Sequence, residues 1–128
     1  MAVPSFLLKK LYVKGSLRNT ESGFELALKN NLAPGTLIGL GPLTVDETSY
    51  PPEAITMRGP QGEFRGDQVT GRSPLTFGLN DEVTVAVRGE PLAPGSHHIV
   101  FSVMSREVGR LEFDLADTLG GPGGGGAG

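Results

Sequence analysis

The phrase Leu32-Ala33-Pro34-Gly35-Thr36 returns sixty positions later as Leu92-Ala93-Pro94-Gly95-Ser96. Each copy follows an alternating apolar run, Phe24 to Lys29 before the first and Val83 to Arg88 before the second. Each leads into a further apolar stretch, Leu37-Ile38 in one case and Ile99-Val100-Phe101 in the other. Proline fixes φ, and glycine reaches turn conformations that other residues avoid. Pro-Gly between two period-two runs therefore predicts a chain reversal. A strand–turn–strand unit used twice confines the chain to a β architecture, although the phrase is too short to establish that the two halves share an ancestor.

The same alternation runs through the rest of the chain. Leu11, Val13, Gly15 and Leu17 alternate with Tyr12, Lys14, Ser16 and Arg18, which predicts a half-buried strand. Phe24, Leu26 and Leu28 face inward on the return strand, and Leu43 with Val45 marks a third. Ile55 and Met57 form a short strand after Tyr50-Pro51-Pro52-Glu53, whose prolines argue for an edge or a crossing between sheets. From Gly59 to Pro74 the pattern is weak, with Phe64 and Val69 as the anchors. Leu75-Phe77-Leu79, Val83-Val85-Val87, Ile99-Phe101-Val103 and Leu111-Phe113-Leu115 complete the set. The expectation is an all-β, antiparallel β-sandwich of about eight short strands, immunoglobulin-like or jelly-roll-like. No window carries sustained helical periodicity.

The 128 residues suffice for one domain with its own core. We place it at residues 1–119, followed by a glycine-rich tail, 120–128, with no side chains to bury. Cysteine is absent, which removes disulfides and thiolate chemistry. The net charge is −3, and its 11 basic and 14 acidic residues are scattered, so no phosphate-binding face forms and nucleic acid is not an expected partner. Phe6-Leu7-Leu8 is cut short by Lys9-Lys10, too soon for a signal peptide or a membrane span. The expected location is cytoplasmic, with no membrane partner and no cofactor.

Few residues suggest chemistry. His97 and His98 adjoin, but neighbouring side chains on a strand point to opposite faces, so they cannot easily converge on one metal. In phase with Ile99, Phe101 and Val103, His97 is expected to be a structural corner residue that hydrogen-bonds a backbone carbonyl. Ser96 lacks the strand-to-helix elbow of a serine nucleophile. Glu112 and Asp114 share one face of the last strand, ~7 Å apart, with Asp117 just beyond. A carboxylate pair can do acid–base work, yet these two alternate with Leu111, Phe113 and Leu115 and read as a solvated face. No catalytic residue or metal ligand is assigned, and ligand-binding residues stay unassigned. Thr36 to Leu43 is apolar in both strand phases, so it needs cover on both sides. Leu37, Ile38 and Leu40 are the candidate interface residues.

Two stretches also suggest a family. Leu43-Thr44-Val45-Asp46-Glu47 with Tyr50-Pro51-Pro52-Glu53-Ala54-Ile55 is one. Phe77 to Val85 with Leu92-Ala93-Pro94-Gly95-Ser96-His97-His98-Ile99 is the other. Together they resemble the small β subunit of bacterial C-glycoside deglycosidases. That resemblance implies a β-sandwich bound to a larger (β/α)-barrel, sugar-isomerase-like subunit that carries the metal and the catalytic histidine. The expected function is thus a non-catalytic accessory subunit of a lyase-type complex, partnered by a barrel-type enzyme subunit or by self-association. The alternative is a stand-alone module binding a carbohydrate or other small molecule, a role for which the chain has two tyrosines, six phenylalanines and no tryptophan to offer.

Overall fold

The computed structural model describes residues 3–119. Ten strands among these residues form two sheets: β1 (Arg18–Asn19), β2 (Gly23–Lys29), β3 (Gly35–Val45), β4 (Thr48–Tyr50), β5 (Ile55–Gly59), β6 (Gly62–Arg65), β7 (Leu75–Phe77), β8 (Glu82–Arg88), β9 (Gly95–Ser105) and β10 (Gly109–Leu119). The first sheet runs β1-β2-β8-β5-β6 and the second β10-β9-β3-β4, with β7 also paired to β3. Every pairing is antiparallel. The molecule is an all-β sandwich. Its strands are more numerous than eight, and β3, β9 and β10 are eleven residues long rather than short.

Period-two burial explains the core. Phe24, Leu26 and Leu28 of β2, Val83, Val85 and Val87 of β8, and Ile55 and Met57 of β5 turn inward from the first sheet. They meet Leu43, Val45, Ile99, Phe101, Val103, Phe113 and Leu115 from the second. Phe101 stacks on Phe113 at 4.8 Å, and Tyr50 packs edge-on against Phe24 at 5.3 Å.

The repeated phrase makes no hairpin. Each copy carries the chain from the first sheet to the second, once from β2 to β3 and once from β8 to β9. The strands before the two copies pair with each other, and so do the strands after them. The repeat therefore marks a pair of equivalent sheet crossings related by approximate two-fold symmetry. Only the second glycine needs its special conformation: Gly95 has φ +118°, whereas Gly35 is not among the positive-φ residues.

Two sequence expectations fail locally. The alternation from Leu11 to Leu17 is not a strand, because Gly15 takes φ +85° and turns the chain there. Before it lie a helix, α1 (Ser5–Leu8), and a 3-10 turn, Lys9–Leu11, which bury Leu8 and Leu11 against the open end of the sandwich. From this N-terminal segment, Tyr12, through a single bridge to Leu28, and β1 pair with β2. The Ser16 hydroxyl accepts the Ala27 N–H at 2.9 Å, taking the place of a strand carbonyl.

The second failure concerns β3. Strict alternation would put Leu37 and Leu40 on opposite faces. Instead the register against β9 slips once between Leu37 and Gly39 and again between Leu40 and Leu43. Each slip is a one-residue bulge that reverses the phase. Leu37, Leu40 and Leu43 consequently all turn to the core, with Leu37 buried and Leu40 partly buried against it. Of the three candidate interface residues, Ile38 alone is outside the core cluster, and it is half-buried.

Candidate functional site

The outer face of the second sheet carries several apolar side chains at its middle, among Ser102 and Thr44. Ile38 sits in the first bulge, next to Gly39, whose cross-strand partner is Met104, 41% exposed. Val100, opposite Thr44, lies on the same side of β9, and Pro42 is exposed in the second bulge. Glycine keeps this face flat: a Cβ on Gly41 would stand 2.5 Å from the Ser102 hydroxyl oxygen. Polar groups border the patch. Arg110 pairs with Glu112 at 3.2 Å, and the Asp114 carboxylate accepts from His98 Nε2 at 2.5 Å. An apolar centre within a charged rim is the anatomy of a protein interface. Glu112 and Asp114 thus hold separate basic partners at the edge of this face and form no carboxylate dyad. Ser96 stands 3.4 Å from the Thr118 hydroxyl and has no activating base among its hydrogen bonds.

At one end of the sandwich, His97 ties two loops together. Its Nδ1 lies 2.8 Å from Asp46 Oδ2 and its Nε2 2.6 Å from the Ala93 carbonyl oxygen, and its side chain is only 10% exposed. Asp46, in the β3–β4 turn with φ +54°, also accepts the His98 backbone N–H at 3.0 Å. Asn19 clamps the same crossing loop, accepting from the Leu92 N–H at 2.8 Å and donating to its carbonyl at 3.0 Å. Both His97 nitrogens face pure acceptors, so the doubly protonated ring satisfies both. The Ala93 carbonyl, against the opposing effect of burial and with help from Asp46, raises the His97 pKa above its ordinary value. The His98 N–H and the His97 ring hold Asp46 below the usual carboxylate range.

A pH dependence follows. A histidine whose pKa is raised on folding contributes stability fully below its unfolded pKa, about 6.5, and loses it as pH rises through the folded value. Thermal melts of the wild type are expected to fall between pH 6 and pH 8.5 as this contribution is lost. His97→Gln should flatten that slope. An unchanged slope in the variant would assign the effect elsewhere.

The other end is organised by Asn30, a buried residue that the alternation pattern passes over. Its side chain donates to the Ala33 and Phe77 carbonyls at 2.7 and 2.8 Å and accepts from the Leu32 and Ala33 N–H groups at 3.1 and 3.2 Å. It stands two residues before the first copy of the repeated phrase, a position that the alternation does not mark. Nearby, Glu107 accepts from the Thr36 N–H and hydroxyl at 2.9 and 2.8 Å, bonds that lower its pKa. Along the side of the sandwich, Asp117 accepts from the Tyr12 hydroxyl at 2.5 Å and the Gly15 N–H at 2.8 Å, joining the N-terminal segment to β10. Burial, followed by the Asp117 hydrogen bond, pushes the Tyr12 pKa far up. On the outer face of the first sheet, Glu25 is 7% exposed beneath Arg18 and Arg58, which donate to it at 2.7 and 3.0 Å. Cross-strand register, invisible in one sequence, brings these groups together.

Among the described residues no group of three or more histidine, aspartate or glutamate side chains could hold a metal ion. No helix of these residues is long and apolar enough to cross a membrane. The glycine-rich stretch 120–128 lies outside them.

A family model described as hydroxymethylglutaryl-CoA reductase, N-terminal domain, matches residues 7–120. No curated protein matches the chain. The family match spans nearly all of the sequence and overturns the resemblance to C-glycoside deglycosidase β subunits. The phrases behind that resemblance are the β3–β4 turn, the Pro-Pro entry to β5 and the second sheet crossing. Such turn chemistry serves any sandwich with these connections, so it does not discriminate between families. The chain belongs to the hydroxymethylglutaryl-CoA reductase N-terminal domain family.

Proposed function

We propose that this chain is a non-catalytic docking domain whose second sheet packs, through its outer face, on a larger catalytic unit and steadies it. The observation that carries the reading is the bulge in β3, which turns Leu37 and Leu40 inward and leaves Ile38 outside, beside the Gly39–Met104 pair. A bulge at that position keeps a half-buried apolar side chain out of the core and beside exposed Met104 and Pro42, an apolar group that a partner can cover. Family membership makes the catalytic portion of a hydroxymethylglutaryl-CoA reductase the first partner to test, as a domain of the same chain or as a separate subunit.

The test is association in trans. The chain and the catalytic portion of such a reductase are expected to co-elute on size-exclusion chromatography. Ile38→Asp and Met104→Asp should each weaken the complex at least about 100-fold, since a charge stranded in a desolvated centre acts as a hot-spot loss. Both variants should stay folded, because the charge is solvated in the free domain. Full-strength association by both variants would contradict the assignment of this face.

A further inference from the structure

An apolar cavity of about 120 Å³ lies between the sheets at the Asn30 end of the sandwich. Leu37 and Val103 from one sheet and Leu28 and Val83 from the other wall it, and Leu8 and Leu11 of the N-terminal segment close it. Its exposed lining residues, Leu32, Ala33, Pro34 and Glu107, mark where it reaches the surface.

The polar side chains in its lining are engaged by hydrogen bonds within the protein. Asn30 spends both amide hydrogens and its carbonyl oxygen on the crossing loop and Phe77. Ser105 donates to Glu107 and accepts from the Glu107 and Val108 N–H groups. Glu107 is taken up by Thr36 and Ser105. A buried water needs two to four polar partners, and the buried side chains Asn30 and Ser105 are already bonded within the protein. An apolar cavity of roughly 150 Å³ stays dry and takes up benzene or xenon, so this one is of a size to do the same.

We propose that the cavity is a binding site for an apolar group of about six heavy atoms or fewer, a single aromatic ring or a short branched aliphatic chain. The rim is held by the Asn30 and Glu107 hydrogen bonds, so the site is formed before the ligand arrives. Entry passes at the rim, where the exposed Leu32, Ala33, Pro34 and Glu107 line it. This inference does not depend on the docking reading, since the cavity opens at the end of the sandwich and not on its outer face.

Benzene and xenon are the probes. Titration with benzene is expected to shift the methyl resonances of Leu37, Val83 and Val103 saturably and to raise the melting temperature with concentration. Phenol, whose hydroxyl would be stranded, should bind at least tenfold more weakly. Filling variants, Val103→Leu and Val83→Ile, should weaken benzene binding at least tenfold while keeping the native spectrum elsewhere. Saturable shifts confined to these methyls support the site even if neither variant folds. Shifts that do not saturate, that map to residues outside the cavity, or that persist in a folded filling variant would overturn it.

Discussion

Asn30→Ala is expected to destabilise the domain by roughly 3 kcal/mol, which for a chain of this size lowers the melting temperature by about 10 °C. Asn30 is 3% exposed, and its side chain satisfies four backbone groups, in Leu32, Ala33 and Phe77. Its own backbone carbonyl accepts the Asn80 N–H at 2.5 Å, and its N–H donates to the Asp81 carbonyl at 2.9 Å. Truncation leaves the side chain's four partners in a crowded loop crossing, where water can reach only some of them, and each buried orphan costs about 1–3 kcal/mol. Asn30→Asp is the informative companion. It keeps the two acceptor contacts, replaces both donors with a carboxylate and sets negative charge against the Ala33 and Phe77 carbonyls. It should therefore be no better than alanine at neutral pH and should recover partly in acid. A loss below about 1 kcal/mol for Asn30→Ala in urea unfolding would show that the crossing holds without this hub.

Phe101→Ala should cost more, about 3–5 kcal/mol, a large share of the stability of any small domain. Phe101 is 2% exposed on β9, which lies between β10 and β3 in the second sheet. Its ring is nearly parallel to that of Phe113, with centroids 4.8 Å apart. Removing it deletes the transfer energy of the ring, opens a cavity that the paired strands cannot collapse into, and strips Phe113 of its stacking partner. Phe101→Leu keeps most of the volume and should lose roughly half as much. Equal losses for the two would mean that the stack itself, and not the volume, carries the energy.

The extent to which the sequence exposed this structure varies with the range of the interaction. Alternation located the inward residues of β2, β8, β9 and β10, because burial on a half-exposed strand imposes period two directly on the sequence. It misled wherever one residue's backbone broke the period. Gly15 turned an alternating run into a turn, and two bulges in β3 gave Leu37, Leu40 and Leu43 a shared face at a spacing of three. The Pro-Gly repeat identified two equivalent junctions. Whether a junction closes a hairpin or crosses to another sheet depends on which strands pair, and pairing is not local. The phase of His97 placed it at the corner, yet its partner Asp46 is 51 residues away. The Glu25–Arg58 and Tyr12–Asp117 contacts are likewise set by register between distant strands. The apolar run at 36–43 departs from both strand phases because bulges divide it: Leu37, Leu40 and Leu43 turn to the core and Ile38 stays outside the core cluster.

The docking face is tested most directly by oxidative footprinting of the chain with and without the proposed catalytic partner. Met104 is 41% exposed on that face, while Met57 is 1% exposed in the core and serves as an internal reference. In the complex, oxidation of Met104 is expected to slow at least fivefold and labelling of Ile38 to fall with it, while Met57 stays protected throughout. A complex that forms with Met104 oxidised at its free rate, or with protection confined to Arg58 and Arg88 on the opposite sheet, would contradict the account.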